Sequence, residues 1–385
     1  MSQEHYSPLG GRIVTPFFVF LSVLATVALY LLLQRFIYGL GAVTHINDGY
    51  SWGIWVVFDV VIGTAFGCGG FVIAFLVYII NRGEYHPLIR PAVMASLFGY
   101  TLGGAAVFID LGRYWQIYNI FLPWYSQPNS VMFEVAVCVT AYIIVLWIEF
   151  TPVFLERLQI KDLHRKLNKV LFFIVALGIL LPTMHQSSLG TLMVIMGYKL
   201  HPLWNTQLLP VLFLTTAILI GYAIVVFEAI LSSASFNRPY ETDILGKLSK
   251  IIWWLIVVYL SLRFADVYYR NQLELLTQPG LLRTMFVIEN LLFLIPMALL
   301  LNPKSDQSPR TLFIAAFSLL LAGSVLRVNT YLIAYNPGHG WSYFPSVEEM
   351  LVTIGMFSIE VMLYLVFVKT LPVLHKIRPA ETQTA

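Results

Sequence analysis

Runs of apolar residues long enough to cross a bilayer recur along the 385-residue chain, separated by short polar segments. A membrane helix needs about twenty such residues. That spacing predicts spans near 13–38, 53–80, 91–112, 131–155, 168–189, 208–232, 248–271, 284–301, 311–330 and 349–370. Glycines interrupt the second and third runs and Pro182 interrupts the fifth, which membrane helices tolerate where neighbours cover the backbone. No connecting stretch is long enough for a soluble domain. The expected fold is therefore all-α and polytopic, one ten-helix membrane domain over 1–385.

Composition agrees. Hydrophobic residues make up 58% of the chain and charged residues 11%, with mean hydropathy +0.78; soluble domains carry about 25% charged residues. Cys68 and Cys138 stand alone in apolar runs, so neither a disulfide framework nor an iron–sulfur cluster is expected. No basic face suits nucleic acid. The first run is too long for a signal-peptide core and is read as a retained span.

Charge placement orients the chain. Arg12, Arg82, Arg90, Arg157, Lys161, Arg165, Lys166, Lys169, Arg238, Lys247, Lys250, Lys304, Arg310, Lys369, Lys376 and Arg378 fall on one side. Arg35, Arg113, Lys199, Arg270 and Arg283 fall on the other. Sixteen against five places both termini in the cytoplasm and makes the 157–169 run a topology signal. The opposite loops are poor in charge and rich in aromatics, including Trp52, Trp115, Trp124, Trp204 and Trp341. Two readings stay open for them: a headgroup belt and a docking surface for an extracytoplasmic partner.

Ionisable residues inside spans cost roughly 2.5 kcal/mol or more each and call for a reason. Asp59, Asp110 with Arg113, Glu134, His185, Arg263 with Asp266, Glu289 and Arg327 lie towards the outer side; Glu149, Glu228 and Glu360 lie deeper or towards the cytoplasm. Asp59 shares a helix face with Gly63 and Gly67 and should point into the bundle. Asp110 is about 20° around the helix from Gly99, again on a small-residue face. Glu134 and Glu149 sit about 22 Å apart on one helix, a carboxylate near each edge. Structural alternatives are pairing of Arg263 with Asp266, of Asp110 with Arg113 and of Glu289 with Arg327, hydration of Glu149 and Glu228, and an N-terminal dipole role for Glu134. Tyr100, mid-span, is read as core or as a catalytic hydroxyl.

The fifth span is expected to leave the membrane through Pro182, Thr183, Met184, His185, Gln186, Ser187 and Ser188, a polar run suited to a bound polar group. His185 is the only one of eight histidines within a span. Two facing histidines are the usual axial pair of a membrane haem, so the expectation is a chain without haem or metal. No HExxH, CxxC or glycine-rich phosphate motif is present. Proton-capable groups near one membrane face then fit a lipid-soluble quinone, or a transported ion.

The stretches Trp52-Gly53-Ile54-Trp55, Asn81 to Pro91, Ser96 to Tyr100, Asp110 to Trp115, Asn129 to Glu134, Pro182 to Ser188 and His201 to Trp204 resemble the NrfD/PsrC-type quinone-reactive membrane subunits. The similarity spans the chain and is greatest to the ten-helix branch that serves periplasmic type-2 nickel–iron hydrogenases. It implies a multi-pass subunit of the bacterial inner membrane with its partners on the periplasmic side. A ferredoxin-like iron–sulfur subunit would dock on the outer loops and exchange electrons with menaquinone in the outer half. The hydrogenase small and large subunits, the latter with nickel and iron, would lie beyond it. On this reading His185 and Tyr100 meet the quinone ring, Glu134 donates the proton, and Asp59 and Arg113 shape the pocket. Glu149, Glu228 and Glu360 continue the path if protons come from the cytoplasm. Alternatives are another respiratory complex (sulfur-metabolism, molybdoenzyme or multihaem cytochrome), a secondary ion transporter and an anchor without chemistry.

Overall fold

A computed structural model describes residues 6–302 and 308–375, with Asn168 described by its backbone alone. Lys304, Lys376 and Arg378, which entered the orientation argument, lie outside the described residues.

The described residues form ten apolar helices of membrane-spanning length. They are α1 Pro16–Tyr38, α2 Val56–Ile79, α3 Ile89–Asp110, α4 Val131–Arg157 and α5 Lys161–Ile195. There follow α6 Leu209–Ser235, α7 Thr242–Tyr269, α8 Leu281–Leu299, α9 Pro309–Ile333 and α10 Val347–Thr370. This is a multi-pass integral membrane protein. Both ends of the described chain meet at one end of the bundle, where the Tyr6 and His375 backbones form an isolated bridge and Leu9 N donates to Val368 O. We call this the terminal end and its opposite the distal end.

Two helices run well beyond their expected bounds. α5 begins at Lys161, so the basic run is mostly helix rather than loop, and it continues to Ile195. The Pro182–Ser188 segment is consequently not an exit from the membrane. Pro182 leaves the helix unbroken, and the Thr183, Ser187 and Ser188 hydroxyls donate to backbone carbonyls within the same helix. α7 likewise starts at Thr242.

α2 is the central element and the least regular. Its first and last turns are π-helical, at Val56–Ile62 and Phe75–Ile79, and a turn at Gly67 and Cys68 interrupts it. Its glycines permit close approach. A Cβ on Gly67 would lie 2.6 Å from Tyr100 Cδ2, and one on Gly70 would lie 2.7 Å from Ser96 Oγ. Irregular backbone at membrane depth needs protein around it. Here α3, α6 and α9 supply the cover. α1 packs along α10, where a Cβ on Gly355 would come within 2.1 Å of Ala28 Cβ.

The distal tryptophans divide. Trp52 and Trp204 are buried and donate to Tyr331 O at 2.9 Å and Glu289 Oε2 at 2.9 Å. Trp115, Trp124 and Trp341 are exposed. Arg35, counted among the five cations of the opposite side, is 1% exposed on α1, and its guanidinium donates to the carbonyls of Ile109 and Leu111, closing the end of α3.

Candidate functional site

A cavity of about 670 Å³ opens in the distal half between α2, α3, α4 and α5, roofed by the short helical segment Tyr114–Phe121. Its wall is mainly apolar: Val60, Val61, Val107, Val135, Val139, Ile143, Leu189 and Leu192 line it, with Trp52 and Tyr331. Its polar side chains are few: Ser51, Asp110, Arg113, Gln116 and Asn119 lie towards the distal mouth, and Thr140 on α4 donates its hydroxyl to Ala136 O within the helix at 2.8 Å. Small-ligand sites occupy roughly 300–1,000 Å³ and combine apolar walls with a few polar groups.

Beneath the floor stands a dyad. The Tyr100 hydroxyl lies 2.6 Å from His185 Nε2, and both side chains are fully buried. Cys68 Sγ is 3.7 Å from the same hydroxyl, and the Tyr142 ring packs edge-on against Tyr100 at 4.5 Å. His185 Nδ1 has no hydrogen-bond partner among the described residues. Gly104 on α3 and Leu189 on α5 both line the cavity. Each is one helical turn distal of its dyad residue, so floor and dyad are about 6 Å apart along both helices.

Next to His185, Gln186 is also fully buried. Its Nε2 donates to Thr64 Oγ1 at 3.0 Å, and its Oε1 accepts from Arg327 Nη2 at 3.3 Å. Arg327 further donates to Val61 O, Thr216 Oγ1 and Gly323 O at 2.9, 3.2 and 3.2 Å. Val61 belongs to the π-helical stretch of α2, so the guanidinium satisfies carbonyls in the irregular part of the bundle.

The other expected site residues are placed apart. Arg113 lines the cavity mouth beside Asp110 without forming an ion pair with it; the α3 end is held by Arg35 instead. Glu134 lies in the first turn of α4, partly exposed; its neighbours Met132, Val135 and Ala136 line the cavity and it does not. Asp59 faces Glu360 rather than the dyad. The two share a small cavity with Gly99, Gly103 and Met356. Glu149 faces α5, with its carboxylate 3.4 Å from where a Cβ on Gly178 would stand. Glu228 accepts from the Tyr364 hydroxyl at 2.6 Å.

Two further pairings differ from expectation. Arg263 does not neutralise Asp266. It donates to Glu289 at 3.2 Å with both side chains fully buried, while Asp266 takes Arg270 at 2.7 Å. Residues three and four apart share a helix face, but the carboxylate on α8 is reached from the buried side of α7. Glu289 is therefore unavailable to Arg327, and it also accepts from Trp204 and from Asn329 at 2.8 Å. The sequence reading missed Glu349, whose carboxylate accepts from Tyr343 Oη at 2.7 Å and from Ser346 N at 2.8 Å. A Ser-x-x-Glu capping box before an apolar run was the available signal.

Residues 42–335 match the family described as polysulphide reductase, NrfD. The chain belongs to the NrfD family. This NrfD-family chain is 45% identical over 374 residues to the "Probable Ni/Fe-hydrogenase 2 b-type cytochrome subunit" of Escherichia coli, covering 96% of this chain and 95% of that protein. It is 26% identical over 348 residues to the "Menaquinone reductase, integral membrane subunit" of Nitratidesulfovibrio vulgaris, covering 81% and 80%. It is 22% identical over 409 residues to a selenate reductase subunit of Mesobacillus selenatarsenatis, covering 93% of each.

The first of these names corrects one expectation. A relative called a b-type cytochrome subunit implies haem, and this overturns the reading of a haem-free chain. His185 is the one fully buried histidine among the described residues, and its Nε2 is engaged by Tyr100. The described residues therefore do not assemble a facing pair of histidines.

Proposed function

We propose that this NrfD-family chain is the membrane subunit of a hydrogenase complex and passes electrons between a ferredoxin-like iron–sulfur subunit and menaquinone. The distal end then faces the periplasm and the terminal end the cytoplasm. The small and large hydrogenase subunits, with the nickel–iron centre, lie beyond the iron–sulfur subunit. The hydrogenase and menaquinone names of two relatives support this assignment.

The observation that carries it is the apolar cavity ending one helical turn above Tyr100 and His185. A naphthoquinone ring suits its size and apolar wall, and the opening beside the exposed Met132 and Phe121 suits a prenyl tail. Reduction takes two electrons and two protons. A charged ring is costly in an apolar cavity, so proton donors must stand close. The Tyr100 hydroxyl is held by His185, and this short contact sets the direction in which a proton moves at the floor. Arg113 and Asp110 at the mouth orient the ring from the other side, and Glu134, next along α4 to the wall residue Val135, is a second proton source. Glu149, Glu228, Glu360 and Asp59 supply protons from the terminal end, which makes turnover electrogenic.

The test uses the intact complex in membranes, with hydrogen as donor. Tyr100→Phe and His185→Ala should each lower menaquinone reduction by a factor of about 10² or more. Reduction of a viologen dye at the hydrogenase subunits should be unchanged. Wild-type menaquinone rates in both variants would overturn the site.

A further inference from the structure

The terminal end holds a cavity that the quinone site does not use. It is a compact space of about 40 Å³ between α3, α6 and the α6–α7 connection, lined by Glu228, Ser232, Ser233, Arg238, Glu241 and His375. A water needs about 10–15 Å³ and several polar partners, and this space offers both. Ser232 is 6% exposed, and its hydroxyl lies at the cavity wall beside Tyr364 without a well-formed hydrogen bond, where a water can satisfy it. Glu241 stands at the mouth, just before the first turn of α7. The Arg238 guanidinium donates to His375 O and holds the C-terminal segment against the same mouth.

From this cavity the polar groups continue inwards in steps. Glu228, which lines it, accepts from the Tyr364 hydroxyl at 2.6 Å. Tyr364 lies on α10 one turn from Glu360, about 6 Å along the axis. Glu360 faces Asp59 across the second small cavity, also about 40 Å³. Asp59 is followed on α2 by Val60 and Val61, both in the wall of the large cavity.

We propose that Glu241 is the proton inlet and Tyr364 the relay of a route that runs from the terminal end through Glu228 to Glu360 and Asp59. Cavity water carries a proton from Glu241 to Glu228. Glu228 then gives its proton to the Tyr364 oxygen as the Tyr364 hydroxyl proton passes on towards Glu360, so the tyrosine is neutral before and after. Ser232 holds the water that joins the first two carboxylates. The route rests on the quinone reading above and names two of its working groups, neither of which lies at the quinone site.

The test is made on the whole complex in liposomes with the hydrogenase subunits outward, hydrogen as donor and a short-chain naphthoquinone as acceptor. A pH dye in the lumen then reports uptake from the terminal end. The wild-type complex should take up lumenal protons during turnover. Tyr364→Phe and Glu241→Gln should each lower that uptake by at least about tenfold, with viologen reduction unchanged as proof of assembly. Glu241→Asp should restore most of it. If Tyr364→Phe does not assemble, Glu241→Gln at the mouth decides. Wild-type lumenal uptake in the variants overturns the route while leaving the quinone reading intact, as does a wild-type complex that reduces quinone without lumenal uptake. A wild-type complex that reduces no quinone overturns the reading beneath it.

Discussion

Arg327 Nη2 rests 3.3 Å from Gln186 Oε1, and no carboxylate among the described residues lies within ion-pairing distance of this buried guanidinium. A cation in the middle of a membrane bundle is thus held by an amide, a hydroxyl and backbone carbonyls. Those carbonyls come from α2, α6 and α9, the helices around the irregular stretch.

Removing that guanidinium should be costly. Arg327→Met leaves Val61 O and the Gln186 amide without their donor in an apolar interior, at roughly 1–3 kcal/mol for each unsatisfied group. The variant complex in detergent should melt well below the wild-type protein, and Arg327→Lys, with one compact donor, should fall between them. A wild-type melting curve for Arg327→Met would refute the anchoring role.

The Arg263–Glu289 pair should behave non-additively. Breaking a buried pair by removing one partner costs about 3–5 kcal/mol, because the survivor stays buried and uncompensated. Arg263→Met and Glu289→Gln should each destabilise the bundle strongly, and the double variant should lose much less than their sum. A thermal double-mutant cycle reads the difference. Additive losses would mean that the pair is not coupled.

Gly67→Ala tests the dyad from a distance. The new methyl would stand 2.6 Å from Tyr100 Cδ2, so the ring must move relative to His185. A displacement near 1 Å at a reacting centre can cost about 10² in rate. Menaquinone reduction should fall accordingly while viologen reduction persists. An unchanged quinone rate would show that the Tyr100–His185 geometry is not needed.

His201 predicts an acid-side weakness at the distal end. Burial lowers the pKa of this imidazole from its ordinary value, and Leu203 N donates to its Nδ1 at 3.4 Å, a contact that requires an unprotonated nitrogen. The folded state therefore favours the neutral form. Stability is fully present above the ordinary histidine value near 6.5 and declines as pH falls below it towards the lowered folded value. His201→Asn should flatten the pH dependence of melting between about pH 7 and 5. A wild-type slope in that variant would assign the effect to another group.

Periodicity and composition made the ten helices legible, because span length follows from bilayer thickness and each apolar run satisfies its own backbone. Some polar residues of the candidate site were legible too. Tyr100, His185 and Arg113 stand out as polar groups where polarity is costly.

Partner choice was not legible. Arg263 and Asp266 look like a local pair, yet each finds its partner at another position, Glu289 on α8 and Arg270 just past the end of α7. Asp59 shares a glycine face with Gly63 and so points inward as expected, but only the placement of α10 puts Glu360 opposite it. Glu228 and Tyr364 are 136 residues apart and meet only because α6 and α10 come together at the terminal end. The sequence by itself determined that the chain must cross the membrane ten times and carry buried charge. Which charges face each other, and which stand within a turn of the large cavity, was decided by helix packing. Local hydrophobicity sets the length and depth of a helix but carries no information about which neighbour its polar face will meet.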